Sequence, residues 1–151
     1  MDIQVVLAVK DVKKAKEFYM KFFDQVILYD FGENIAFESG LSLQEDFDWL
    51  TGIEKKDIKM KSNNMEIYFE INDFTNFAEK LKENNIEFIH NPKQSEWGQW
   101  SPRIYDLDNH IIEIGESMFD VVKRFYTQGY TIEEIAKRMD VTEEYIEEHL
   151  K

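Results

Sequence analysis

Cysteine is absent from this sequence, which excludes disulfides and thiolate metal sites. Histidine is scarce, at three residues, and basic residues are outnumbered: 18 Lys and Arg stand against 31 Asp and Glu, a net charge of −13. A chain this acidic repels phosphate backbones. Nucleic acid is therefore a poor partner, and cationic small molecules or metal ions are better tolerated. Solubility alone also accounts for the excess. No apolar run approaches the roughly 18 residues that span a membrane. The opening Met1-Asp2-Ile3-Gln4 lacks the basic and long apolar regions of a secretory signal. A cytoplasmic protein without membrane or nucleic-acid partners is the expectation.

What is present suits a packed core. Of 151 residues, 43% are hydrophobic, including 12 Phe and 7 Tyr, enough for one domain with a short appendage. Ile3 to Val9 reads as a strand. Asp11 follows as a helix N-cap, because its carboxylate accepts from free amide N–H groups. Val12, Ala15, Phe18, Tyr19, Phe22 and Phe23 then recur at helical spacing, with lysines between them. Gln25 to Tyr29, Ile35 to Glu38 and Leu41 to Glu45 read as strands, separated by the turn Gly32-Glu33-Asn34 and the hinge Ser39-Gly40. Residues 47–64 are polar and poorly periodic and read as a linker, in which Trp49, Leu50 and Ile53 suit a short helical turn.

The pattern then restarts. Met65 to Ile71 is a strand, Asp73 a second N-cap, and Phe74, Phe77, Ala78 and Leu81 mark a second helix. Ile86 to Ile89, Arg103 to Tyr105 and Ile111 to Gly115 are strands. Trp97 to Pro102 reads as an aromatic loop and Asp106 to Asn109 as a turn. Asp11 and Asp73 stand 62 residues apart, as do Gln4 and Glu66, so strand, cap, helix and strand recur in register. Such a repeat identifies the architecture. One helix and four strands cannot close their own sheet, whereas two such units together bury their concave faces and leave a cleft. The predicted fold is α+β: paired βαβββ modules over residues 1–46 and 65–116, forming a curved mixed sheet around a cleft.

The ordered features Val9-x-Asp11, Phe18-Tyr19, Trp97-Gly98-Gln99 and Tyr105-Asp106-Leu107-Asp108-Asn109-His110-Ile111-Ile112-Glu113 resemble those of the vicinal-oxygen-chelate superfamily of glyoxalases, bleomycin-resistance proteins and extradiol dioxygenases. Leu107 replaces a frequent Pro and Asn109 a Gly, and Asn tolerates the left-handed turn. The resemblance covers about residues 1–116. By position it implies Gln4, Gln44, Glu66 and Glu113 as metal ligands, with Glu113 and Glu66 as the catalytic carboxylates. For Gln44, a slip of one residue would select Leu43 or Glu45 and reverse the face. The set lacks the histidine usual in metal-binding relatives. Its all-oxygen character favours Mg²⁺ or Mn²⁺ over Zn²⁺ or Ni²⁺. Without metal, paired carboxylates repel, one titrates high, and it serves as a base.

Trp97 and Trp100 suit stacking of a planar or cationic ligand. Arg103 suits a substrate carboxylate or one of the chain's own acids. His90 and His110 lie outside any metal-like spacing and read as surface residues. In the tail, 117–151, Ser117, Thr131 and Thr142 cap three helices that resemble a helix-turn-helix. Its last helix carries Glu143, Glu144, Glu147 and Glu148 and no Lys or Arg, which opposes entry into a DNA groove. The tail reads as a helical appendage that packs on the core, covers a cleft or supports a dimer. Two functions follow from the resemblance: a metal-assisted lyase or isomerase acting on a small molecule, or a non-enzymatic binder of a cationic drug or antibiotic without metal. A homodimer is expected in either case.

Overall fold

The computed structural model describes residues 3–151. They form two compact units, one of residues 3–66 with Tyr105–Ile111 and the other of Ile67–Ile104 with Ile112–Lys151.

In the first unit β1 (Val5–Ala8), β2 (Ile27–Asp30), β3 (Asn34–Phe37) and β4 (Leu41–Gln44) form one sheet in the order β1-β4-β3-β2. β1 runs parallel to β4, with Val5 opposite Leu41 and Ala8 opposite Gln44. Helix α1 (Val12–Phe23) begins where the sequence demands: Asp11 is extended and its carboxylate accepts from the Lys14 N–H at 3.0 Å. Its buried face is the periodic set Val12, Ala15, Phe18, Tyr19, Phe22 and Phe23. Leu7, Val9, Ile35, Phe37, Leu41 and Leu43 complete this core. The linker holds α2 (Phe47–Thr51) and a 3₁₀ turn at Lys55–Asp57.

The turn 106–110 belongs to this unit and is built on Asp106. One carboxylate oxygen accepts from the backbone N–H groups of Asp108 and His110, and the other meets His110 Nδ1 at 2.8 Å. Asn109 takes the expected left-handed conformation at φ +64°. His110 is therefore held in place by Asp106; it is not the surface residue that its turn position suggested.

In the second unit β5 (Glu66–Ile71), β6 (Phe88–Gln94), β7 (Trp100–Tyr105) and β8 (Ile111–Glu116) form a sheet in the order β5-β8-β7-β6, the same topology as the first. Ile104, Ile112 and Ile114 are buried, as are Ala78 and Leu81 of α3 (Phe74–Glu83). Three expectations are corrected here. Asp73 is left-handed and does not cap α3; its carboxylate accepts from Asn76 and its own N–H donates to Asp120. β6 continues through Pro92, because it is an edge strand whose register shifts between His90 and Lys93, and an edge tolerates a residue without an N–H. The aromatic loop is shorter than expected, since Trp100 already lies in β7.

The tail forms α4 (Met118–Thr127), α5 (Ile132–Met139) and α6 (Glu143–His149). Ser117, Thr131 and Thr142 each cap as the sequence requires, Thr131 in a reciprocal box with Glu134. Val121, Val122, Phe125, Ile135, Ala136, Met139 and Ile146 pack into one apolar cluster. No helix among the described residues is long and apolar enough to cross a membrane.

Candidate functional site

Side chains alternate along a strand, so residues two apart share a face. On β7 this separates Ser101, Arg103 and Tyr105 from Pro102 and the buried Ile104. On β8 it places Glu113 and Gly115 opposite Ile112 and Ile114. On β5 it aligns Glu66, Tyr68 and Glu70. The polar face of the second sheet is joined by direct contacts. Arg103 Nη2 donates to Glu113 Oε2 at 2.8 Å, while its Nη1 lies 3.3 Å from Nε2 of His90, the β6 residue opposite Arg103. A carboxylate, a guanidinium and an imidazole thus form a row over three adjacent strands. His90, like His110, is engaged rather than free at the surface.

Beside this row lies a second set of contacts centred on Gln99. Its side-chain amide donates to the Tyr68 hydroxyl at 2.8 Å and to the Glu116 carbonyl at 2.9 Å, and its Oε1 accepts from the Trp97 indole N–H at 3.1 Å. Gln99 is buried, and these bonds fix it. Gly115 makes the arrangement possible, because a Cβ there would overlap the Tyr68 hydroxyl and the Gln99 amide. Burial first, and then the nearby carboxylates of Glu70 and Glu113, push the Tyr68 phenol above its ordinary pKa, against the Gln99 hydrogen bond that lowers it. Tyr68 therefore stays a neutral phenol through the physiological range. Trp97 is 46% exposed, which leaves an indole surface open beside the two sets.

The residues expected at the site fall differently from their sequence grouping. Glu113 and Arg103 touch, so Arg103 engages an internal carboxylate. Trp97 joins the polar face. Trp100 shares the alternate face with Ile104, so the two indoles do not form one stacking pair. Gln4 precedes β1, next to the Gly40 end of the β1/β4 ladder. Gln44 ends β4 beside Ala8. Four residues of strand separate them, about 13 Å at the usual rise, so the structure does not bring these two together. Glu66 opens β5, the neighbour of β8 in the sheet order. Sequence reading missed Tyr68, Gln99 and the engagement of His90. The available signal was parity: Tyr68 stands two residues from Glu66, and Gln99 four from Arg103.

The oxygen set does not fit a divalent metal. Gln44 is buried, with Oε1 accepting from Asn34 Nδ2 and its amide donating to the Glu45 carbonyl. Gln4 and Gln44 are at opposite ends of their ladder. Among the described residues no group of three or more His, Asp or Glu side chains is placed to hold a metal ion.

A family model for a glyoxalase-like domain matches residues 3–119. Among solved structures the chain is similar to a protein of unknown function from Agrobacterium tumefaciens strain C58, at 31% identity and a TM-score of 0.67 over 78% of this chain and 94% of that one. It is also similar to lactoylglutathione lyase from Agrobacterium tumefaciens, at 18% identity and a TM-score of 0.58 over 77% and 92% of the two chains. Fosfomycin resistance protein FosX from Mesorhizobium loti aligns at 20% identity and a TM-score of 0.55 over 83% and 96%. The last two likenesses concern the fold alone. No curated protein matches.

Proposed function

The chain belongs to the glyoxalase-like domain family, within the vicinal-oxygen-chelate superfamily, and from that premise we propose that it binds a small cationic aromatic molecule on the polar face of its second sheet, without a metal held by Gln4, Gln44, Glu66 and Glu113. The observation that carries this reading is the 2.8 Å contact between Arg103 and Glu113 on the face that also presents Trp97 and Tyr68. Glu113 is oriented by Arg103 and keeps 16% of its side chain accessible, so it offers a directed acceptor to a ligand cation or hydroxyl. Trp97 supplies a flat surface that attracts a planar cation. Glu66 and Glu70 on the same face, and the net charge of −13, favour a positive ligand over an anion.

A second reading, proton transfer on a bound molecule, is favoured by a neutral Tyr68 phenol on the same strand face as the Glu113 carboxylate. One group donates a proton and the other accepts it, the division of labour that an isomerase or lyase requires.

Tryptophan fluorescence titrated with ethidium, a planar cation, tests the binding reading. Saturable quenching should persist in EDTA, and should weaken about tenfold in Glu113→Gln, the loss of one charged partner. Most of the signal should disappear in Trp97→Phe. An absence of quenching, together with one Mn²⁺, Ni²⁺ or Zn²⁺ bound per chain and lost in Glu113→Gln, would overturn it and reinstate the metal. Turnover of a hemithioacetal in EDTA, abolished by Glu113→Gln, would favour the second reading.

A further inference from the structure

We propose that the C-terminal helices are part of the ligand site's construction, and that Arg124 of α4 is the positioning residue that sets the turn carrying Trp97 and Gln99. The matched family segment ends at residue 119, inside α4, so Arg124 and everything C-terminal to it lie beyond the shared domain.

The argument starts at Gly98. Its φ is +92°, and a Cβ there would overlap the Phe125 ring. Glycine is therefore needed twice over, for the backbone conformation and for the close approach of α4. The Gly98 carbonyl accepts from Arg124 Nη2 at 2.6 Å and from Gln94 Nε2 at 3.1 Å. The same guanidinium grips Glu116, with Nε to Oε1 at 3.1 Å and Nη2 to Oε2 at 2.8 Å. Glu116 Oε2 in turn accepts from the Trp100 backbone N–H at 3.2 Å, and the Glu116 carbonyl accepts from the Gln99 amide at 2.9 Å. One guanidinium thus fixes both ends of the segment 98–100: directly at Gly98, and through the Glu116 carboxylate at Trp100. Charge-assisted bonds of this kind define geometry as well as adding energy.

The hold extends into the tail. The Arg124 guanidinium carbon lies 4.9 Å and the Arg138 one 4.5 Å from the Phe125 ring centroid, and Tyr130 meets that ring edge-on at 5.5 Å. Phe125 also belongs to the apolar cluster shared by α4, α5 and α6. The residue that meets Gly98 is therefore also a centre of the tail's own packing.

This inference rests on the ligand face described above, but its first test needs no ligand. The chain has three tryptophans, so their indole ¹H–¹⁵N resonances in the full-length protein can be assigned with Trp97→Phe and Trp100→Phe. In Arg124→Met the Trp97 indole resonance should shift and exchange faster with solvent, as its bond to Gln99 loosens. In Ile146→Val, which disturbs the same apolar cluster away from the turn, it should stay in place. Should Arg124→Met fail to fold, Arg124→Lys keeps the charge and loses the fork, and the same displacement is expected. Ethidium affinity should fall about tenfold with either Arg124 variant, the loss of one charged hydrogen-bond anchor. An unchanged Trp97 resonance in a folded Arg124 variant, or equal displacement in Ile146→Val, would overturn the proposal. Failure of the wild type to bind ethidium while the resonance still shifts would leave the positioning role standing and refute only the choice of ligand.

Discussion

The Tyr19 hydroxyl donates to Asp106 Oδ2 at 2.7 Å, joining two residues 87 apart in sequence. It ties α1 to the turn that closes the second repeat. Two carboxylates meet at this turn and their shifts oppose each other. Burial raises the pKa of Asp106, but the bonds from His110 and Tyr19 outweigh it and hold Asp106 below 3.8. Burial and the charge on Asp106 raise Asp108 above 3.8, although Asp108 accepts the Lys10 N–H at 2.9 Å. By linkage, the contribution of Asp106 is present above 3.8 and is lost as pH falls through its lower folded value. That of Asp108 is complete below 3.8 and is lost as pH rises through its higher folded value. Asp108→Asn keeps an acceptor for Lys10 and removes the unfavourable charge, so it should be neutral or stabilising at neutral pH, and its advantage should vanish in acid. Asp106→Asn should be destabilising at neutral pH. Urea midpoints over about pH 3 to 7, where carboxylates titrate, should show the two variants moving in opposite directions.

Glu113 and Arg103 should be energetically coupled. The pair is half-buried, with side-chain exposures of 16% and 35%, so it is screened less than a surface pair. Glu113→Gln and Arg103→Met should each cost about 1–2 kcal/mol, at the lower end for a hydrogen bond to a charged group. The double variant should cost less than the sum, with a coupling of about 1 kcal/mol. Equilibrium denaturation of the four proteins measures it. Strict additivity would mean that the contact orients Glu113 without stabilising the fold.

Local signals in the sequence were legible because local chemistry decides them. The periodic apolar set of α1 is the set that is buried, and Asp11, Ser117, Thr131 and Thr142 cap because their side chains reach amides three residues on. The 62-residue offset placed both βαβββ units. Asp73 occupied the matching position, but its left-handed backbone turns its carboxylate toward Asn76. The site was less legible because it depends on what neighbouring strands place side by side. Glu113 and Trp97 could be selected from motifs. That Arg103 would be claimed by Glu113, or that Gln99 would connect Trp97 with Tyr68, required the pairing of β5, β8 and β7. Gln4 and Gln44 were grouped by analogy of position, and the parallel register of β1 and β4 separates them. Nothing in the spacing of the tail indicated that Arg124 reaches back to Gly98.

Gly115 is the position at which the site is most sensitive to one added carbon. Its missing Cβ leaves room on β8 for the Tyr68 hydroxyl and the Gln99 amide. Gly115→Ala should cost about 1–3 kcal/mol, the usual range for overpacking, and should weaken ethidium quenching by pushing Tyr68 and Gln99 off the face. Removing the obstructing hydroxyl separates this cause from a general loss of stability. Tyr68→Phe leaves Gln99 its bond to the Glu116 carbonyl at 2.9 Å and removes the nearest of the three atoms that the new methyl would meet, while the Gln99 amide and the ring edge stay in its way. Gly115→Ala should then be roughly 1 kcal/mol less costly in the Tyr68→Phe background than in wild type, a coupling in the range expected for residues in contact. Thermal or urea unfolding of the two single variants and the double variant decides it. Equal costs in both backgrounds would show that the ring edge and the Gln99 amide, and not the hydroxyl, set the limit at this position.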